Sequence, residues 1–235
     1  MENFQIILYF GRPAAGKSEV IDYLKKTSTV ERKKRFHIGH FTCLDDFNLL
    51  WKKGEEDDIL EELGKQRRYT LTHHTGYAVK DDFLYKILVK ELSALYMKTK
   101  YNKEDTTFIE FSRSGETGYR DSLELLDPEI LKKAVIVYIN VSFEESKRKN
   151  LRRYSVDEKG SILKHSVPEE IMNKYRIDDW NGLTRENPDY VEIKGIKIPC
   201  AEFKNEPEIT DKPEALGKEL ERALTRLKNT CEKIL

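Results

Sequence analysis

The segment Phe4 to Phe10 (FQIILYF) is apolar at nearly every position and runs into a glycine. Such a run predicts a strand buried on both faces, as in a parallel sheet. From Lys17 to about Lys26 the apolar positions Val20, Ile21 and Leu24 recur at helical spacing, with Asp22 and Lys26 on the wetter side. The order is therefore strand, glycine-containing loop, helix. Arg35 to Cys43 predicts a second strand leading into the acidic pair Asp45 and Asp46. After a long charged stretch, Asp82 to Lys98 carries Phe83, Ile87, Leu88, Leu92 and Leu95 at helical intervals. Thr106 to Phe111 (TTFIEF), β-branched and aromatic, predicts a third strand, and Ala134 to Val141 (AVIVYINV) a fourth. Glu144 to Tyr154 reads as a strongly basic helix, and the weakly patterned polar stretch to about Asn187 as a mobile excursion. Ile196 to Phe203 predicts a last strand, which Pro199 assigns to an edge or to the strand's start. From about Pro213 onward, Leu216, Leu220, Ala223, Leu224 and Leu227 share one face of a helix. Strands alternating with helices predict an α/β fold with a mostly parallel sheet, here of five strands, and right-handed crossovers. One domain is expected over residues 1–235, with an insertion at about 44–100 and a helical lid at about 144–187.

Composition narrows the function classes. The 235 residues carry 42 Lys+Arg and 42 Asp+Glu, for zero net charge, with 38% hydrophobic residues. A disordered chain is excluded, and the broad basic footprint of a nucleic-acid or membrane binder is absent. No apolar run approaches the roughly 18–20 residues that cross a bilayer, and the first ten residues lack a basic n-region and cleavage site, so a cytoplasmic protein is expected. Cys43, Cys200 and Cys231 are odd in number and far apart, and read as free thiols. Whether the chain pairs as a homodimer is left open.

Gly11-Arg12-Pro13-Ala14-Ala15-Gly16-Lys17-Ser18 fits the P-loop pattern and sits between strand and helix, as that motif requires. In such a loop backbone N–H groups wrap phosphate oxygens, with glycine where a side chain would block their approach. The helix beginning near Lys17 adds its N-terminal dipole. Lys17 is expected to face the β and γ phosphates, and Ser18 to ligate Mg2+. Mg2+ prefers oxygen ligands, so a carboxylate from a neighbouring strand end is also expected. Glu110, an acid closing an apolar strand, is the candidate; otherwise it is a solvated strand-end glutamate. Asp46 or Asp45 could take the proton of an attacking hydroxyl or bind an acceptor, or one of them could simply cap a helix starting near Phe47.

Other fragments weigh less. Asn102–Asp105 (NKED) and Asp157–Gly160 (DEKG) fit guanine-reading and DxxG patterns, but in the wrong context and reversed order, and read as chance. His37, His40 and Cys43 have a tempting spacing, yet residues three apart on a strand face opposite ways, which argues against zinc. His73 and His74 are placed near an acceptor pocket, where Tyr69, Tyr77 and Trp51 are available to stack on a base. Arg148, Arg152 and Arg153, with Lys147 and Lys149, follow the fourth strand. Alone this is a solvated helix face; beside a P-loop it reads as a lid that neutralises a phosphoryl group in transit.

Taken together, GRPAAGKS, the acidic end of strand two, IEFSR at strand three, the Arg-bearing lid and IPCAEFKNEPEIT resemble the P-loop kinases of the nucleoside and nucleoside-monophosphate kinase group. The chain also looks like a microbial P-loop kinase-like family. The resemblance implies a P-loop NTPase fold of three α/β/α layers. It also implies an ATP- and Mg2+-dependent phosphotransferase acting on a small-molecule acceptor, with nucleic acid and membrane not expected as partners. Asp46 with Trp51 in DDFNLLW is similar in spacing to the EPxxxW segment of nucleoside kinases, and Glu110, Ser112 and Arg113 loosely echo their ERS motif. The expected catalytic set is Lys17, Asp46, Glu110, Arg113, Arg148 and Arg152. Gly11 to Ser18, Glu19, Arg153 and Asn205 are expected around the nucleotide, Asn205 from the turn that touches adenine in related kinases. Two alternatives stand beside this reading: a nucleotide-binding regulatory or interaction module with little turnover, and an RNA-end kinase.

Overall fold

A computed structural model describes residues 3–73, 76–153 and 166–234, with the side chain of Arg153 left out. Strand β1 (Ile6–Gly11) leads into helix α1 (Lys17–Lys26), followed by the short α2 (Thr29–Glu31) and a π-helical turn over Arg32–Phe36. Then come β2 (Phe41–Asp45), α3 (Asp46–Glu62), the hairpin β3 (Thr70–His73) and β4 (Gly76–Val79), and α4 (Phe83–Lys98). The order continues with β5 (Thr106–Phe111), α5 (Gly118–Leu125), α6 (Pro128–Leu131), β6 (Ala134–Asn140), α7 (Phe143–Arg153), α8 (Glu169–Lys174) and α9 (Trp180–Leu183). The chain closes with β7 (Tyr190–Ile193), β8 (Ile196–Lys204) and α10 (Pro213–Ile234).

The central sheet runs β2-β5-β1-β6-β8-β7. All neighbours in it are parallel except the edge strand β7, which pairs antiparallel with β8. Because side chains alternate across a strand, each strand feeds two cores. Ile7 and Tyr9 of β1, Val135 and Val137 of β6 and Phe203 of β8 pack with Leu24 of α1 and Leu220, Leu224 and Leu227 of α10. Their neighbours Ile6, Leu8, Phe10, Ile136 and Ile198 pack on the other face with Leu92 of α4, Leu123 of α5 and Trp180. The result is the expected three-layer α/β/α arrangement.

Three boundaries differ from the sequence reading. The sheet has six strands among the described residues, not five, because Lys194 (φ 53°) and Gly195 (φ 74°) form a tight two-residue turn that pairs β7 with β8. That places β8 inside the sheet despite Pro199. The Cys200 N–H reaches the Asp189 carbonyl on the β7 side, so Pro199 turns its nitrogen toward β6, whose pairing begins only at Cys200. Strand two starts at Phe41 rather than Arg35, since Arg32 folds back to cap the end of α1 by donating to the carbonyls of Leu24 (3.1 Å) and Thr27 (2.5 Å). His37, at φ 55°, ends that turn away from the strand, and His37, His40 and Cys43 form no metal cluster among the described residues.

The presumed mobile excursion is partly core. Trp180 is buried and stacks on Tyr138 with ring centroids 4.5 Å apart, and Asp179 accepts from the N–H groups of Tyr119 and Arg120 at the start of α5. The insertion is fastened by Asp57, fully buried on α3, which accepts from the N–H groups of Arg68, Tyr69 and Thr70 at 2.7–2.9 Å. The NKED segment ties to itself, Asp105 accepting from the Asn102 N–H at 3.0 Å. It lies at the start of β5, opposite the strand ends that carry the P-loop. DEKG lies outside the described residues. Cys43, Cys200 and Cys231 are free thiols, and no described helix is long and apolar enough to cross a membrane.

Candidate functional site

The central β1 lies beside β6, and their connections leave in opposite directions along the sheet, from β1 past β5 to β2 and from β6 toward β7 and β8, which makes their ends the crevice where parallel α/β sheets bind ligands. The loop from Gly11 to Gly16 occupies this position. Gly11 (φ 155°) and Gly16 (φ 111°) adopt backbone conformations that other residues resist, and both are walled in. A Cβ on Gly11 would lie 3.1 Å from the Ile139 carbonyl; one on Gly16 would lie 2.5 Å from Asn205 Nδ2. Gly16 also takes the N-cap position of α1 without any side-chain cap, which leaves the helix's first N–H groups to a ligand.

The loop is built from behind. Asn205, fully buried, donates from Nδ2 to the Ala15 carbonyl at 2.7 Å and accepts from the Ile209 N–H at 3.0 Å. Ser146 of α7 donates to the Pro13 carbonyl at 2.6 Å. The Arg12 side chain turns away from the loop mouth, to the carbonyls of Tyr175 (3.0 Å) and Val141 (3.0 Å) and the Asp178 carboxylate (2.8 Å). Lys17 Nζ is held over the loop by the carbonyls of Gly11 and Arg12, both at 3.1 Å, and by Ser112 Oγ at 2.8 Å; Glu110 stands 3.8 Å away. In the sheet register Glu110 of β5 lies between Tyr9 of β1 and Asp45 of β2.

A cleft of about 510 Å³ opens over these groups. Pro13, Ala14, Ala15, Lys17, Ser18, Glu19, Asp45, Asp46, Glu110 and Arg113 all line it. Asp45 caps α3 by accepting from the Phe47 N–H at 2.9 Å, and burial together with the Asp46 charge pushes its carboxyl up to about 6. Asp46 pairs with Arg113 at 2.6 Å, both side chains being at most 10% exposed. Burial raises the Asp46 carboxyl, against the lowering influence of Arg113. Arg113 further donates to the Ser112 carbonyl (2.6 Å), Ser122 Oγ (3.0 Å) and the Tyr85 carbonyl (3.4 Å), and lies against the Tyr85 and Phe111 rings.

Not every expected residue arrives here. Arg148 pairs with Glu145 (2.7 Å) and Glu208 (3.3 Å), and Arg152 with Glu208 (3.2 Å), outside the cleft lining. The Arg153 side chain and His74 lie outside the described residues. Tyr77 lines the cleft, whereas Trp51 packs behind it, centroids 5.0 Å apart, and Tyr69 and His73 do not line it. Asn205 supports the loop with its side chain rather than presenting it to a base. Sequence reasoning missed Tyr85, Tyr175 and Asn150 in the lining. Asn150 is fixed by a reciprocal pair with the Val167 backbone at 2.8 and 2.9 Å, and no local pattern marks any of the three.

No protein-family model matches the sequence, and neither does any curated protein. Among solved structures the chain is similar to a gluconokinase from Sinorhizobium meliloti 1021, at 14% identity over 99% of each chain with a TM-score of 0.49. A sugar kinase from Janibacter sp. HTCC2649 is 15% identical over 95% of this chain and 94% of its own, with a TM-score of 0.47. A shikimate kinase from Acinetobacter baumannii, solved in complex with shikimate, is 17% identical over 74% of each chain, with a TM-score of 0.37. Similarity at this level carries no substrate.

Proposed function

We propose that the chain is an ATP- and Mg2+-dependent kinase that transfers the γ-phosphoryl group to a small-molecule acceptor. The observation that supports this best is the gathering of a P-loop, its lysine and a strand-end carboxylate pair in one cleft of about 510 Å³. The loop amides and the start of α1 would hold the donor phosphates, and Lys17 would follow the charge as it moves. The fit to Mg2+ rests on donor chemistry: Ser18 and Glu110 bring oxygen ligands to the same cleft, and Mg2+ takes the rest of its shell from phosphates and water. When bound, the ion would neutralise phosphate charge. Asp46, held by Arg113, would orient the acceptor hydroxyl and accept its proton, Arg113 acting as a positioning residue. Arg148 and Arg152 would serve only if their hold on Glu208 were exchanged for phosphate.

The test is transfer of labelled γ-phosphate from ATP to a panel of nucleosides, nucleotides, sugars and RNA ends. Wild type is expected to label a small acceptor, and Lys17→Ala to lose at least about a hundredfold in that transfer while keeping its circular dichroism. Nucleotide binding that no acceptor alters would favour a regulatory module instead. Transfer only to RNA ends, weakening steeply with salt, would favour the RNA-end kinase.

A further inference from the structure

Beyond the P-loop the cleft wall is apolar and aromatic: Phe47, Leu50, Tyr77, Val79, Tyr85 and Leu88 come from α3, β4 and α4. Between this wall and the loop stand the carboxylates of Asp45, Asp46 and Glu110. The described cations lining the cleft are Lys17 and Arg113. Lys17 is committed to the loop mouth by two carbonyls and Ser112 Oγ. Arg113 has Nε and both Nη atoms engaged, with Ser122, Asp46, Ser112 and Tyr85. Its guanidinium also lies against the Tyr85 and Phe111 rings, 4.9 and 4.8 Å from their centroids, so its charge is engaged by protein groups.

We infer that the acceptor is an uncharged or cationic hydroxyl compound with a flat or apolar body, and that phosphate- or carboxylate-bearing acceptors are rejected. The inference rests on the kinase reading above and adds the acceptor's chemical class. Asp46 is paired with Arg113 at 2.6 Å and Glu110 stands 3.8 Å from Lys17, so the carboxylate that an anionic group seated against the apolar wall meets without an ion-pair partner, among the described residues, is Asp45. One such repulsion at about 6 Å with an effective dielectric near 20 corresponds to about a hundredfold in binding. A hydroxyl meets carboxylates able to accept its hydrogen bond, and a flat body meets rings on which to stack.

The experiment uses the full chain with MgATP and acceptor pairs that differ by an anionic group and keep a hydroxyl to react: nucleosides against their 3′-monophosphates, and sugar amides and amino-hexoses against the matching sugar acids. The uncharged or cationic member of the reacting pair should be preferred by about tenfold or more in kcat/KM. A preference for the anionic member, or none, overturns the inference and leaves the kinase reading intact. Absence of transfer to every acceptor overturns the kinase reading and the inference with it. Calorimetry with nucleotide then tells whether the phosphate cradle itself stands. As a second arm, Asp45→Asn keeps a good N-cap for α3 while removing one charge, and should narrow the preference through the KM of the anionic member. An unchanged ratio would contradict the assignment of the discrimination to this acidic wall.

Discussion

Replacing Arg113 with methionine tests whether the site is held by its buried ion pair. The substitution keeps an unbranched stem but removes the guanidinium 2.6 Å from Asp46, where the two side chains are 5% and 10% exposed. It also removes the hydrogen bonds that Arg113 donates to the Ser112 and Tyr85 carbonyls and to Ser122 Oγ. A carboxylate left without its partner at such a depth costs about 3–5 kcal/mol, a large share of the 5–15 kcal/mol that stabilises a typical domain. Asp46→Asn in the same background should recover part of that loss, giving a coupling of about 1–3 kcal/mol in a double-mutant cycle. Urea denaturation followed by the fluorescence of the buried Trp180 measures both. Acid supplies an internal check. Arg113 is what lowers the Asp46 carboxyl against burial, so in Arg113→Met the carboxyl rises further and the deficit should shrink as pH falls and Asp46 takes up its proton. A single-variant loss under about 1 kcal/mol, or additivity within about 0.5 kcal/mol, would refute the view that this pair is a tightly coupled buried unit.

Two further predictions concern the loop and the acidic pair. Gly16→Ala should abolish most nucleotide affinity and destabilise the chain by about 1–3 kcal/mol, because the new Cβ would fall 2.5 Å from Asn205 Nδ2 at a φ of 111°; calorimetry showing wild-type affinity would count against this account of the loop. The Asp45 contribution to stability should fall as pH rises from about 4 to about 6. The native Asp45 carboxyl, raised to about 6, keeps its proton to a higher pH than the unfolded chain does, so the contribution present below the ordinary carboxylate range is lost through that window. Asp45→Asn should remove this falling contribution, so that its Tm rises relative to wild type as pH goes from about 4 to about 6, and a slope equal to wild type would contradict it.

The parts of this protein that local sequence determines are those whose physics is local. Phe4 to Phe10, TTFIEF and AVIVYINV are largely apolar or β-branched without alternation, a pattern that suits a short strand covered on both faces. The loop from Gly11 to Ser18 is legible because its backbone needs glycines at fixed offsets within a single turn. Tertiary structure decided what depends on distant partners. Asp46 and Arg113 lie 67 positions apart, and Asn205 reaches Ala15 across 190, so no window of sequence contains either pair. Pro199 could enter an inner strand because its nitrogen falls where β6 pairing has not begun. Arg148 and Arg152 of α7 face Glu208, on a loop met only after two more strands, and Trp180 is core because Tyr138 offers it a ring face. Sequence thus placed the glycine loop, while contacts across the fold decided which charges around it are paired and which side chains wall the cleft beside it.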